Sequence, residues 1–317
     1  MTIFRRLRQL FPTGPAPTKP VRLVTDSTAD LPSELARELA ITVVPLQVIF
    51  GEQTFRDGVD LTSEEFFQRL QEATELPSTS QPSVGDFQRA YEGLAETTDH
   101  ILSIHMSSRL SGTVEAACQA SRACADRCQV EVIDSTTVSM AMGFAVIAAA
   151  RAAQEGADLE ACALAARSVL GRQHLAVALD TLEYLRRGGR IGRAQAFVGG
   201  ILRLKPILTI RDGEAFPLAR VRTHRRALEE ILRISLDQGQ IEEAAVMYAT
   251  TPEDARSLAE ELSRRCPGVP VHVGNIGPVL GVYGGPGLVG VAVVLKEDTS
   301  VHEPEAGPAP VIEEGRP

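Results

Sequence analysis

Short β-branched apolar runs alternate along the chain with segments in which apolar residues recur at helical spacing. The runs predict strands at 21–25, 42–49, 100–104, 130–133, 174–179, 206–210, 244–249, 269–273 and 288–295. The helical spacing predicts helices at 33–39, 63–73, 84–95, 112–126, 137–155, 159–170, 223–236 and 252–264. Alternation of this kind is typical of α/β proteins.

The two halves of the chain differ in how the strands are connected. In the first half each strand is followed by a helix, which favours a parallel sheet with right-handed crossovers. In the second half, the apolar run 207–210 is followed by Arg-Asp-Gly-Glu at 211–214. This turn sequence reverses the chain direction and indicates a β-hairpin. We therefore expect an N-terminal parallel-sheet α/β domain over 21–172 and a C-terminal α+β domain with an antiparallel sheet over 173–297. The Gly-rich segment 274–287 is expected to pack back on the first domain.

Both ends of the chain have a composition unlike the body. Residues 1–20 are Pro-rich and carry a charge of +4, which predicts an extended basic leader. Residues 298–317 are rich in Pro and Glu and predict an acidic disordered tail. The net charge of the whole chain is −9. The +4 of residues 1–20 and the −4 of residues 296–317 cancel, so residues 21–295 carry a net charge of −9. An acidic body without a basic stripe argues against a nucleic-acid partner.

The composition narrows the class of protein further. The chain has 317 residues, 44% apolar and 23% charged, without Trp, so its core is mainly aliphatic. Its five cysteines follow no disulfide spacing, which indicates buried thiols in a reducing compartment. No apolar run reaches the ~18 residues that a membrane helix needs, so we expect no stable membrane insertion. The start of the chain lacks a signal-peptide core, and we expect a cytoplasmic location.

Small hydroxyl residues follow three of the early strands. They are Ser27 and Thr28 after Asp26, Ser135 to Thr137 after Asp134, and Ser107, Ser108, Ser111 and Thr113 after His105. In a parallel sheet the carboxyl ends of these strands lie at one edge, where ligands of open α/β folds bind. Ser, Thr and Asp are also preferred helix N-caps, and each group precedes a predicted helix. Both interpretations stay open, and they are compatible because free amides at a helix start attract anions.

Two glycine-containing segments stand apart from the predicted elements. Tyr184–Ile191 places three arginines around Gly188 and Gly189, which is an ordinary helix stop and also a potential contact for an anionic partner. Residues 285–290 spell Gly-x-Gly-x-x-Gly, but the motif contains a proline and runs into a strand rather than a helix. We therefore reject dinucleotide binding.

Several of these segments together resemble the motifs of the DegV family. The matching segments, in order, are Val24–Leu31, Thr79–Ser83, Ser107–Thr113, Ile133–Ser135, Leu185–Ile191, Lys205–Leu208, Gly277–Gly281 and Gly285–Gly287. Each motif is weak alone, and their number and order make the resemblance specific over about 21–296. It implies a two-domain fold that holds a long-chain fatty acid between its domains, without a cofactor or metal.

The resemblance also implies roles for individual residues. Thr79 and Ser111, with the Gly112 amide, correspond to the groups that hydrogen-bond the fatty-acid carboxylate. Ser80 and Tyr283 are possible further head-group contacts, and Tyr283 stands where the family commonly has histidine. A phenol donates a hydrogen bond but does not become cationic near neutral pH.

The resemblance implies a protein partner as well. Family members serve a separate ATP-binding fatty acid kinase, which phosphorylates the bound acid to an acyl phosphate. We interpret Arg187 and Arg190 as possible contacts to that partner.

Two other functions compete with lipid presentation. Ser111 or Ser108 with His105 as base would make a Ser-dependent acyl hydrolase, although the chain has no Gly-x-Ser-x-Gly motif. A lipid-responsive protein-interaction module with an incidental cavity is the third possibility.

Overall fold

A computed structural model describes residues 19–198 and 204–297. The predictions for the basic leader, except at residues 19 and 20, and for the acidic tail lie outside the described residues. The strands are β1 Arg22–Asp26, β2 Ile41–Val44, β3 Gln47–Phe50, β4 Gln53–Arg56, β5 Ser78–Ser80, β6 His100–His105, β7 Gln129–Asp134, β8 Gln173–Ala178, β9 Lys205–Arg211, β10 Glu214–Val221, β11 Ile241–Tyr248, β12 Val271–Asn275 and β13 Val289–Leu295.

The α-helices are α1 Ser33–Glu38, α2 Ser63–Glu72, α3 Val84–Ala95, α4 Thr113–Ala123, α5 Ser139–Gln154, α6 Leu159–Leu170, α7 Glu183–Arg187, α8 His224–Leu236, α9 Pro252–Arg265 and α10 Pro278–Gly284. Two short 3-10 helices cover Ser27–Ala29 and Gly192–Phe197. Side-chain N-caps fix several starts: Thr62 and Ser83 form capping boxes, and Asp158 and Thr223 accept from the first turns of α6 and α8.

The first sheet has the order β2-β1-β6-β7, and all of its strands are parallel. The second has the order β10-β9-β8-β13-β11-β12 and is antiparallel except for the β11–β12 pair. The predicted fold class is confirmed. The 211–214 turn has two consecutive residues in the left-handed region, Asp212 at φ 52° and Gly213 at φ 80°, as a tight hairpin requires.

A third, small sheet was not predicted. The predicted strand 42–49 is wrong as one unit, because Pro45 separates β2 in the first sheet from β3 in the sheet β4-β3-β5. The segment 77–83, interpreted as a loop, contains β5, which pairs with β3 through Thr79 and Val48. This sheet brings the Thr79 segment beside the second half of the chain.

The core lies on both faces of the second sheet. Helix α5 is buried almost all round and contacts strands of both large sheets, which explains why its sequence has no polar face. Helices α8 and α9 cover the opposite face of the second sheet and form a separate apolar cluster with it. The face toward α5 is the one that builds the candidate site.

No helix was predicted in the Gly-rich segment 274–287, but helix α10 forms within it. Gly281 lies against the rings of Phe66 and Phe67 on α2: a Cβ there would be 2.6 Å from Phe66 Cε1. Ser63 donates to the Ile276 carbonyl at 2.7 Å just before α10. The Gly-rich segment therefore packs against elements from the first half of the chain.

Within residues 19–198 and 204–297 the five cysteines form no disulfide, and Cys124, Cys128 and Cys162 are buried. Burial raises the pKa of the Cys162 thiol to about 12. No group of His, Cys, Asp or Glu within 19–198 and 204–297 has metal-binding geometry. Nor does any helix in these ranges have the length and apolarity to cross a bilayer.

Two glycine substitutions test the α10 contact. We expect Gly281→Ala to lower the free energy of unfolding by about 1–3 kcal/mol, because the new methyl overlaps Phe66. Gly93→Ala, inside α3 with nothing within 4 Å, should raise it by about 0.5–1 kcal/mol through helix propensity. Urea unfolding of both variants measures the difference. Equal effects would contradict the tight α10–α2 packing.

Candidate functional site

An apolar cavity lies between α10, the face of the second sheet and the loops after β6 and β7. Its empty volume is about 830 Å³, counting the space open to solvent at its mouth. Its apolar lining comes from both halves of the chain: Met106, Leu110, Val138, Leu175, Val177, Leu179, Leu185, Leu208, Ala215, Ile210, Met247, Ile276, Leu280 and Leu288. The polar side chains in the lining are those of Ser139, Arg190, Thr209 and Tyr283.

Strand alternation explains why the cavity wall is apolar. Along β8, Leu175 and Val177 point to the cavity, whereas Ala176 and Ala178 pack under α8 and α9. Gly290 on β13 pairs with Val177 and leaves room at the wall. The sequence predicted these strands but not which face of the sheet would line a cavity.

The second half also closes over the loop that follows β6. Ser107 Oγ donates to the Gly213 carbonyl at 2.8 Å, and Arg109 Nη1 lies 3.0 Å from Glu214 Oε1. The β9–β10 turn therefore rests on the hydroxyl-rich segment that precedes α4. This contact holds the loop that contributes Leu110 to the cavity lining.

Tyr283 brings α10 to Thr79. The Thr79 Oγ1 and Tyr283 Oη atoms are 2.5 Å apart, so two residues separated by 204 positions share a hydrogen bond. Gly188 allows this placement, because a Cβ there would lie 2.5 Å from Tyr283 Cδ1. The glycine interpreted as a helix stop thus also makes room for the Tyr283 ring.

Gly112, next to Ser111, lies against Gln81, the residue that follows β5. Ser111 Oγ is 2.9 Å from Thr113 Oγ1, and Gly112 precedes α4 without a side-chain cap. The Gln81 amide lies directly over the Gly112 α-carbon, where any Cβ would overlap it. Residues 79–81 thus contact both Tyr283 and Gly112.

Arg190 also lies at the mouth of the cavity. Its Nε donates to the Leu110 carbonyl at 3.2 Å and its Nη1 to the Gly188 carbonyl at 2.9 Å. Its guanidinium carbon is 5.4 Å from the centre of the Tyr283 ring. The sequence indicated Arg190 only as a partner contact, and the structure also places a cation beside the phenol.

The remaining two candidate residues lie apart from this group. Ser80 Oγ donates to the Gln81 carbonyl, and adjacent strand residues point to opposite faces, so Ser80 faces away from Thr79. Arg187 is 59% exposed and forms an ion pair with Glu183 at 2.5 Å. Arg187 is thus on the surface near the site.

Comparison with known proteins shows the family of this chain. A family model described as "Uncharacterised protein, DegV family" matches residues 20–296. A DegV domain-containing protein of Streptomyces coelicolor is 38% identical over 277 residues, covering 86% of this chain and 98% of its own. Protein DegV of Bacillus subtilis is 34% identical over 280 residues, covering 87% and 99%. The chain belongs to the DegV family.

Solved DegV structures share the fold. A DegV family protein from Thermus thermophilus, described for its fatty acid binding, has a TM-score of 0.82 and 36% identity, and the match covers 87% of this chain and 100% of that one. DegV of Bacillus subtilis, described as a fatty acid binding protein, has a TM-score of 0.81 and 33% identity over 88% of this chain and 100% of its own.

The DegV opening motif, Val24–Leu31, supplies buried hydrogen bonds. Asp26 accepts from the Thr28 and Met106 amides and from His105 Nδ1 at 3.0 Å. The other ring nitrogen, His105 Nε2, is 2.7 Å from Ser103 Oγ, and His105 is fully buried. The imidazole is thus engaged on both sides, and neither Ser108 nor Ser111 is its partner. This geometry does not support the hydrolase interpretation.

Two carboxylates, half-buried Asp30 and buried Asp57, flank the start of α10. Asp30 accepts from the Gly277 amide at 2.8 Å and from Ser139 Oγ at 2.5 Å. Asp57 accepts from Ser27 Oγ at 2.7 Å, and its carboxyl lies beside Gly277. Burial raises the pKa of Asp30 to about 8 and that of Asp57 to about 6, more than the hydrogen bonds lower them. These contacts fix the helix that carries Tyr283.

The raised pKa of Asp30 predicts how stability depends on pH. The unfolded carboxyl loses its proton near pH 4 and the folded one near pH 8, so stability should fall as pH rises between these values. Asp30→Asn keeps an acceptor for the Gly277 amide, replaces the oxygen that accepts from Ser139 with an NH₂ group that donates to the Ser139 hydroxyl, and should remove that part of the slope. Asp30→Ala should cost about 1–3 kcal/mol at every pH, because Gly277 loses its acceptor. Urea unfolding at about pH 5 and about pH 9 tests this; an unchanged slope in Asp30→Asn would contradict it.

Proposed function

We propose that this protein binds a long-chain fatty acid in the apolar cavity and holds its carboxylate at the mouth. The observation that carries the proposal is the apolar cavity between the two halves of the chain, with Tyr283 and Arg190 in its lining and Thr79 hydrogen-bonded to Tyr283. Solved relatives described as fatty acid binding proteins support the choice of ligand.

The lining suits an acyl tail energetically. Burying a long acyl chain is worth on the order of 10 kcal/mol at about 0.8 kcal/mol per methylene, before the cost of association. The tail therefore supplies affinity, and the polar groups at the mouth serve mainly to orient the acid.

The head-group site combines hydroxyls with one cation. Thr79, Ser111 and the Gly112 amide donate to the carboxylate, and Tyr283 assists through its bond to Thr79. Arg190, above the Tyr283 ring, adds a positive charge that compensates for the phenol's lack of one. Ser80 faces away from Thr79, which argues for a lesser role.

We further infer that the carboxylate is presented to a separate ATP-dependent fatty acid kinase, so that this protein itself is not the catalyst. The position of the head group at the cavity mouth supports this, as does the exposed Arg187 on the adjoining surface. Incubation with such a kinase, ATP and palmitic acid should yield acyl phosphate only in the presence of this protein. Equal product without it would contradict the inference.

Paired substitutions test the head-group assignment. Thr79→Val with Ser111→Ala should weaken palmitic acid binding by at least about tenfold, because hydrogen bonds to a charged group are worth about 1.5–3 kcal/mol each. The matched control is Ser80→Ala with Ser108→Ala, which removes two neighbouring hydroxyls and should change affinity by less than about twofold. Calorimetric titration measures both. Equal affinities for the two double variants would contradict the assignment.

A further inference from the structure

Strands β8 and β9 separate along the wall of the cavity. They pair only at Val177 with Leu208 and at Ala178 with Ile207. Yet β8 begins four residues earlier at Gln173, and β9 continues to Arg211. If the antiparallel pairing of β8 with β9 continued, residues 173–176 would pair with residues 209–212. The second sheet therefore has a slot between these strand ends.

A second cavity lies at this slot, with an empty volume of about 740 Å³ including its open side. It shares Leu175, Thr209 and Ile210 with the apolar cavity. Its other wall includes Ile234 and Ser235 of α8, on the opposite face of the sheet. The two cavities thus adjoin through the gap between the strands.

The slot lies at the end of the apolar cavity away from the head group. Ala178 pairs with Val289, and the preceding Leu288 packs on Gly284, next to Tyr283. From Ala178 to Gln173 the strand extends about 17 Å at ~3.3 Å per residue. A long acyl tail that starts near Tyr283 and follows β8 therefore ends near the slot.

The lining of the slot mixes polar and apolar side chains, whereas the cavity that leads to it is mainly apolar. The polar side chains of the second cavity are those of Gln173, His174, Thr209, Arg211, Ser235 and Gln238. Within the part of the chain that the structure describes, Gln173 Oε1 is buried and has no hydrogen-bond partner. Leaving a buried acceptor unsatisfied is costly, so this atom favours a ligand that brings a donor. An unsubstituted methyl end offers none.

We propose that the β8–β9 slot is a tail subsite for acyl chains that carry a hydroxyl at or near the far end, with Gln173 Oε1 accepting its hydrogen bond. This proposal rests on the proposed function, because the carboxylate must lie at Tyr283 for the tail to reach Gln173. The subsite would let the protein accept hydroxylated acyl chains that a closed apolar tunnel rejects.

Titration with palmitic acid and ω-hydroxypalmitic acid tests the subsite. In a closed apolar tunnel the added hydroxyl would weaken binding by about tenfold or more. Here we expect the two acids to bind within about threefold of each other. In Gln173→Leu, palmitic acid should bind as before, whereas ω-hydroxypalmitic acid should bind about tenfold more weakly. Gln119→Leu, on the exposed face of α4, is the control and should change neither affinity.

A ligand comparison keeps the test independent of how the variants fold. With the unmodified protein, ω-methoxypalmitic acid has no donor and should bind about tenfold more weakly than ω-hydroxypalmitic acid. If palmitic acid binds but the ω-hydroxy acid binds at least tenfold more weakly, the subsite is overturned and the proposed function stands. If neither acid binds, the proposed function fails and the subsite fails with it.

Discussion

The contacts of two carboxylates with the start of α10 are the constraint on which the site depends. Asp30 accepts from the Gly277 amide, and Asp57, which accepts from Ser27, lies beside Gly277. These contacts join the opening motif of the chain to its last helix. An unpaired amide in this position would carry the full cost of desolvation. Because α10 carries Tyr283, Leu280 and Gly284, its position decides whether the cavity has a closed wall and a polar mouth.

Polar and apolar parts are separated in the site. The cavity wall is built from one face of the second sheet, whose alternate residues pack under α8 and α9. Tyr283 of α10 and Arg190 of the loop after α7 bring polar groups to its mouth. A ligand with one polar end and a long apolar body matches this arrangement, and solved relatives are described as binding such ligands.

Sequence patterns predicted the elements and the fold class well, because β-branched runs and helical periodicity are local signals. Pro45 was the local signal that separated β2 from β3, and the strand interpretation passed over it. Helix α10 was missed because Gly281 and Gly284 lower helix propensity, and only contact with Phe66 and Leu288 explains them. Asp30 belongs to the Val24–Leu31 motif and Asp57 stood outside every motif, and neither was assigned a role, since their contacts with Gly277 join positions more than 200 residues apart. Arg190 was noticed for its charge, but its place above Tyr283 depends on the tertiary fold.

The most direct test of the central claim is mass spectrometry of an organic extract from the natively purified protein. A site that encloses an acyl chain should retain one through purification, so we expect long-chain fatty acid at close to one equivalent per chain. The extract of a variant with Leu280→Arg, which places a charge in the cavity wall, should contain far less. Protein that purifies without lipid and gains none when mixed with palmitic acid would contradict the account and favour a protein-interaction module.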